Sequence, residues 1–183
     1  MKKVRGIARI VFCLMMALIL GVVGYNIVMK RFHPVEYSEQ IIQYSKEFDI
    51  SPSLVAAVIK CESSFDKSAV SAADARGLMQ LTEETFTDVR KMLKDGDDVT
   101  FEEKWDDADT NIRYGTRYLR FLLDMFDGDV TAAIASYNAG LGNVKNWMGE
   151  DHKLTVDEIE FDETFNYVDK VLNAEKYYRK HYR

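Results

Sequence analysis

Proline is scarce: the 183 residues hold two, Pro34 and Pro52, alongside ten glycines. That scarcity excludes a collagen-like chain and a Pro/Gly-rich disordered one. Cysteine is equally rare. Cys13 lies inside an apolar run and Cys61 in the polar remainder, so no disulfide is expected between them. Cys61 reads as a small residue near a helix end. No acid occurs in the first 31 residues, which hold Lys2, Lys3, Arg5, Arg9, Lys30 and Arg31. The remainder therefore carries 18 basic against 30 acidic residues, a net of −12. Such a domain repels phosphate, which excludes nucleic acid as a partner and argues against lying flat on anionic lipid. There is no internal repeat and no hairpin signal.

What is present begins with a long apolar run. Ile7 to Met29 is interrupted only by Arg9 and Asn26. A bilayer needs about 20 such residues. Four basic residues precede the core of the run and two follow it, so the positive-inside bias leaves the N-terminus in the cytoplasm. A cleaved signal peptide would have an apolar core of about 7–15 residues. The sequence also lacks an Ala-x-Ala site, with only Val22-Val23-Gly24 as a weak substitute. Residues 1–31 are therefore expected to form a cytoplasmic stub and transmembrane anchor. Residues 32–36 form a linker containing His33 and Pro34, and 37–183 a domain on the extracytoplasmic side.

The domain reads as mainly α. Tyr37, Ile41, Tyr44 and Phe48 recur at helical spacing. Ser51-Pro52 is a helix start, followed by Leu54, Val55, Val58 and Ile59 on an apolar face. Residues 63–81 break the period and read as an extended loop. A helix restarts near Thr82, with Phe86, Val89 and Leu93 on one side. Residues 94–107 read as an acidic exposed loop; the order of its acids matches no calcium loop. A long helix is expected from about Asp109 to Phe126, with Gly115 marking close packing. Asp129 caps a short helix that Gly140 stops. The last helix carries Phe161, Phe165, Val168 and Leu172.

Glu62 is the residue with chemical interest. Val55, Val58, Ile59 and Glu62 share one helix face by the i, i+3, i+4, i+7 rule, so an apolar stripe ends in a carboxyl group. Burial there and the negative end of the helix both favour the protonated form. A carboxylic acid protonated above the ordinary glutamate value of about 4.3 can protonate a leaving oxygen. Helix phase alone is equally compatible with a surface glutamate at a frayed end.

Later segments add weight. Glu62-Ser63-Ser64-Phe65 is followed by Ala69-Val70-Ser71 and Gly77-Leu78-Met79-Gln80-Leu81. Then come Asn111-Ile112 with Gly115 and Tyr118-Leu119, Ala135-Ser136-Tyr137-Asn138-Ala139-Gly140, and Glu163-Thr164-Phe165-Asn166-Tyr167-Val168. This ordered set resembles the catalytic domain of the soluble lytic transglycosylase family, which has a goose-type lysozyme-like fold. The resemblance covers roughly residues 36–175. It implies a mainly α, lysozyme-like helical domain, which the apolar run of 7–29 sets behind one N-terminal transmembrane helix.

The resemblance also implies roles. Glu62 matches the catalytic glutamate, acid and then base. Ser71 and Gln80 match polar residues around it, and Met79 is expected in the apolar cleft wall. Tyr137 and Asn138 match the tyrosine-asparagine pair facing the cleft. Glu163 matches a glutamate lining the groove, and Tyr167 supports that wall. The implied reaction breaks the bond between N-acetylmuramic acid and N-acetylglucosamine in peptidoglycan, leaving a 1,6-anhydromuramyl end. No metal or organic cofactor is implied. Water as acceptor would instead make a hydrolytic muramidase or a chitinase-like enzyme. A catalytically silent glycan-binding scaffold of an envelope or secretion machine is the reading from another class, and retention of the acid argues against it. The sequence departs from the family pattern at three places. Thr82-Glu83 stands where Met-Pro is frequent, Asp74 and Arg76 where glycine and a small residue are common, and Asp107-Ala108-Asp109 lacks a proline. These departures bear on glycan preference rather than on the acid.

Overall fold

Pro52 has no N–H to donate, which suits only the first turn of a helix. The computed structural model describes residues 12, 14–25, 28, 36–149 and 153–182. The chain divides into two units, Met1–Pro34 and Val35–Arg183. In the first, residues 14–25 are helical, and the expected bilayer-crossing run of 7–29 falls partly outside the described residues. Among the described residues no helix is long and apolar enough to cross a membrane. Cys13 and the 32–35 part of the expected linker likewise lie outside them.

The second unit is an array of helices. It opens with α1, Ser38–Glu47, and α2, Pro52–Ser63, whose proline sits at the helix start as expected. Every residue from Ser53 to Ile59 is buried, so α2 is sheathed on all sides rather than along one stripe. It is the centre of the main core. A long loop then leads to α3, Glu83–Leu93, whose first turn is closed by the Thr82 hydroxyl accepting from the Thr85 N–H. Among the described residues the 63–81 segment holds no strand, only isolated bridges pairing Arg76 with Val70 and with Leu81.

The supposed acidic loop of 94–107 is partly helical, a correction to the sequence reading. Phe101–Lys104 forms the single turn α4 because Phe101 is a buried anchor, its ring edge-on to Phe86 at 5.5 Å. Phe86, Val89, Phe101, Tyr114 and Leu81 make a second, smaller core. Within this segment Asp95 accepts from Arg113 and from the Tyr114 hydroxyl, both at 2.8 Å.

The long helix α5 spans Ala108–Met125, started by Asp107 accepting from the Thr110 N–H. Gly115 in its middle has a steric reason. A Cβ there would lie 2.3 Å from the Met79 sulfur. Next comes α6, Val130–Ala139, capped by Asp129 and ended by Gly140. Gly140 also begins a helix the period did not show, α7, Leu141–Trp147. Seven residues are too few to reveal a period, and burial of Val144 and Trp147 holds the helix in place. A 3₁₀ turn, Val156–Glu158, precedes α8, Asp162–Tyr178. The stripe expected for α8 is rotated. Val168 is buried, but Phe161 and Phe165 are 47% and 39% exposed, and Thr164, Val171, Ala174 and Tyr178 face inward instead. The core of the unit is formed largely by α2 against α8, with α6 packing on α8 and α5 on α6.

Candidate functional site

Three helix ends, those of α2, α6 and α8, and one loop meet around Glu62. The carboxyl group sits one residue before the end of α2, where Ser64 turns into the left-handed region. It is half-buried. The Tyr167 hydroxyl, one turn into α8, donates to its Oε1 at 2.5 Å. Burial pushes the Glu62 pKa up to about 7, against the opposing pull of the Tyr167 hydrogen bond. The dominant cause is desolvation. A neighbouring acid is not among the causes, so the raised value belongs to Glu62 alone rather than to a shared-proton pair. The Tyr167 phenol, half-buried beside that carboxyl, is held well above its ordinary value by desolvation and stays a donor.

A cleft of about 440 Å³ opens in front of the acid. Glu62, Ser71, Ala72, Ala73, Ala75, Gln80, Thr82, Tyr137, Asn138 and Glu163 line it. Six of the seven residues singled out from the sequence therefore come together. Ser71 closes the loop rim by accepting from the Ala75 N–H through Oγ at 3.1 Å. Gln80 stands at φ 46, and its side-chain amide donates to the Ala69 and Gly77 carbonyls, each at 3.0 Å. Both carbonyls demand donors, which fixes which end of the amide points into the loop. Tyr137 donates to the Met79 carbonyl at 2.7 Å and packs against the Tyr118 ring. Asn138, exposed at the end of α6, accepts from the Thr164 hydroxyl at 2.7 Å. Glu163 lies exposed in the first turn of α8, on the cleft edge.

Met79 is the exception. Expected in the cleft wall, its side chain is fully buried in the core against Gly115 and Thr116. The left-handed turn at Gln80 sends the two neighbouring side chains to opposite sides, and the missing Cβ of Gly115 makes the hole that Met79 fills. Its backbone still serves the site as the acceptor for Tyr137.

Three residues bear on the site without having been given their roles by the sequence. Tyr167 was placed as wall support and instead holds the acid directly. Thr164 orients Asn138. Asn111, buried in α5, accepts from the Met79 N–H at 2.8 Å and donates to the carbonyls of Trp105 and Arg76. It thereby hangs the Gln80-bearing loop on the long helix. The available signal was the spacing Glu163 to Tyr167, four residues and so one helix face. Cys61, beside the acid in sequence, is a half-buried free thiol that burial and the Glu62 charge push up to about 11. It is inert at neutral pH. Among the described residues no group of His, Cys, Asp and Glu is arranged to hold a metal ion.

Comparison with known proteins places this geometry. The family model described as "Transglycosylase SLT domain" matches residues 39–159. The "Soluble lytic murein transglycosylase" of Salmonella typhimurium is 35% identical over 155 residues, 82% of this chain and 24% of that protein. The "Membrane-bound lytic murein transglycosylase C" of Yersinia enterocolitica is 32% identical over 176 residues, 83% of this chain and 48% of its own length. Among solved structures, the 70 kDa soluble lytic transglycosylase of Escherichia coli superposes with a TM-score of 0.78 at 30% identity, over 84% of this chain and 25% of that one. A complex of the 70-kDa soluble lytic transglycosylase with bulgecin A gives 0.77 at 32% identity, over the same shares. The chain thus spans about a quarter of the soluble relatives and about half of the membrane-bound one.

Proposed function

Because this chain belongs to the Transglycosylase SLT domain family, we propose that it cleaves the β-1,4 bond between N-acetylmuramic acid and N-acetylglucosamine in peptidoglycan and leaves 1,6-anhydromuramyl ends. The observation that carries this reading is Glu62, a desolvated carboxyl group with a pKa near 7 at the wall of an open cleft. A value close to neutrality suits a group that must give a proton and then take one back. Glu62 protonates the glycosidic oxygen as the bond to the muramyl C1 breaks. The muramyl N-acetyl group stabilises the charge that develops at C1, the substrate-assisted route open to a site with one working acid. Ionised Glu62 then removes the proton from the C6 hydroxyl of the same sugar, whose oxygen closes on C1.

Tyr167 holds one oxygen of Glu62 and steadies the ionised form between the two proton transfers. Ser71, Gln80, Tyr137, Asn138 and Glu163 are read as the residues that seat the glycan. Met79 takes no part through its side chain. No metal or cofactor enters the reaction. Residues 1–31 are read as a cytoplasmic stub and membrane anchor, which puts the domain on the side where peptidoglycan lies. The apolar run and its flanking basic residues support that arrangement.

Digestion of purified peptidoglycan, with product masses read directly, tests the reaction. Muropeptides lighter by one water than reducing-end products are expected. Reducing ends as the sole product would replace the proposal with a hydrolytic muramidase, and no cleavage would replace it with a silent glycan-binding module. Retention of the full chain in the membrane fraction after alkaline washing is expected; release would overturn the anchor.

A further inference from the structure

The loop wall of the cleft presents a mechanical difficulty. Four of its lining residues, Ser71, Ala72, Ala73 and Ala75, come from one short stretch. Three are alanines, whose side chains cannot bond to anything. Ala72, Ala73 and Asp74 are exposed. The base of the loop is tied by backbone: Gly77 N–H to the Ala69 carbonyl, and Arg76 and Leu81 to each other at 2.9 and 3.0 Å. The tip closes only on itself, through Ser71 and Ala75 and a left-handed Asp74. A glycan pressed against such a rim would push it aside unless something braces it.

The brace is one side chain. The Arg76 guanidinium donates to both oxygens of Asp74, at 2.9 and 3.2 Å, gripping the tip. Its other arm donates to both oxygens of Glu102 on α4, each at 3.1 Å. The same group lies over the rings of Phe101 and Trp105, 5.1 and 5.6 Å from their centroids. Phe101 belongs to the smaller core. Among the described residues, the side-chain ties from 71–75 to any other element all run through Arg76. Planarity matters: only a guanidinium can fork to two carboxylates while stacking on aromatic faces.

We propose that Arg76 is a positioning residue for substrate binding, clamping the alanine rim of the cleft to the smaller core so that the rim is set before a glycan strand arrives. The inference rests on the proposed glycan-cleaving function for its substrate, but not for its mechanics. Arg76 does not line the cleft or contact Glu62, so its loss acts on affinity rather than on the chemical step.

Three variants and two readouts test it in the full chain. With peptidoglycan as substrate, Arg76→Ala is expected to raise KM about tenfold with kcat within about twofold. Arg76→Lys recovers less than half of that loss, because an ammonium cannot fork and stack. Glu102→Gln, which keeps the stack and weakens one fork, raises KM about threefold. Amide hydrogen exchange is the second readout. In Arg76→Ala, exchange at Asp74 and Ala75 quickens while that at Gly77 and Leu81 stays as in the parent chain. An unchanged KM, a fall in kcat at unchanged KM, or full rescue by lysine overturns the proposal. So does unchanged exchange at Asp74 and Ala75. If the parent chain does not cleave peptidoglycan, the proposed function fails, while the exchange result still decides whether Arg76 braces the rim.

Discussion

The two walls of the cleft are built on different principles. The helical wall carries Glu62, Tyr137, Asn138 and Glu163 at the ends of α2, α6 and α8. Its side chains are fixed by packing and by bonds between helices, Tyr167 to Glu62 and Thr164 to Asn138. The loop wall carries Ser71 to Thr82 and is fixed by backbone bonds, left-handed turns and the polar hub Asn111. Desolvation is available only on the first wall, and it is there that the acid sits. In the proposed reaction the proton donor takes the dry, rigid mount, while the loop wall offers the glycan an alanine rim beside the polar Ser71, Gln80 and Thr82.

Breaking the helical wall at its centre has the largest expected effect. Glu62→Gln keeps the shape and removes the transferable proton, so turnover of peptidoglycan falls by about 10²–10⁴-fold or more. Stability moves in the opposite direction. The Glu62 pKa is near 7 folded, against 4.5 as the ordinary value. The native state therefore holds that proton more tightly, and the stabilisation present below pH 4.5 is lost as pH rises through 7. The glutamine variant avoids the loss. Its advantage in urea unfolding should grow between pH 4.5 and 7 to about 3 kcal/mol, then level off. A constant difference across that range would contradict a desolvated acid.

Breaking the loop wall at its hub comes next. Asn111→Ala strands the Met79 N–H and the Trp105 carbonyl, while the Arg76 carbonyl keeps the Leu81 N–H; the loss is about 3 kcal/mol in urea unfolding, since each unpaired buried group costs about 1–3 kcal/mol. Lost stability with cleavage preserved below the transition would show that the loop wall folds independently of the acid. Smaller still is Tyr167→Phe. The Tyr167 hydroxyl lowers the Glu62 pKa, so its removal raises it. The alkaline limb of the pH–activity profile, near 7 in the parent chain, should move upward, with peak turnover reduced about tenfold or less. A limb moving to lower pH would refute the assigned direction of the bond. Thr164→Val, which frees Asn138, should cost about 1 kcal/mol and change KM slightly. A loss of turnover as large as that of Glu62→Gln would place Asn138 in the chemistry instead.

The same contrast explains what the sequence revealed. Features written in local chemistry were legible: Ser51-Pro52, Thr82, Asp129 and Gly140 mark helix ends, and all of them do so in the structure. Glu62 at the end of an apolar face was legible too, although α2 proved buried all round. Features that depend on distant partners were not. Met79 turns inward because Gly115, 36 positions later, leaves room for it. Phe161 and Phe165 face outward because Thr164 and Val168 take the inner face of α8. The grip of Tyr167 on Glu62 spans 105 positions, and its one local sign was that Tyr167 stands a helical turn after Glu163. The turn α4 hid within acids because its single anchor, Phe101, is too little to make a period.

Gln80 spends both amide hydrogens on the loop that carries it. The atom it has left, Oε1, can only accept. If Gln80 seats the glycan as proposed, the wall at that point recognises it by the glycan's own hydrogens. It welcomes a hydroxyl or an acetamido N–H and turns away a carboxylate, so a neutral amide discriminates by sign although it carries no charge.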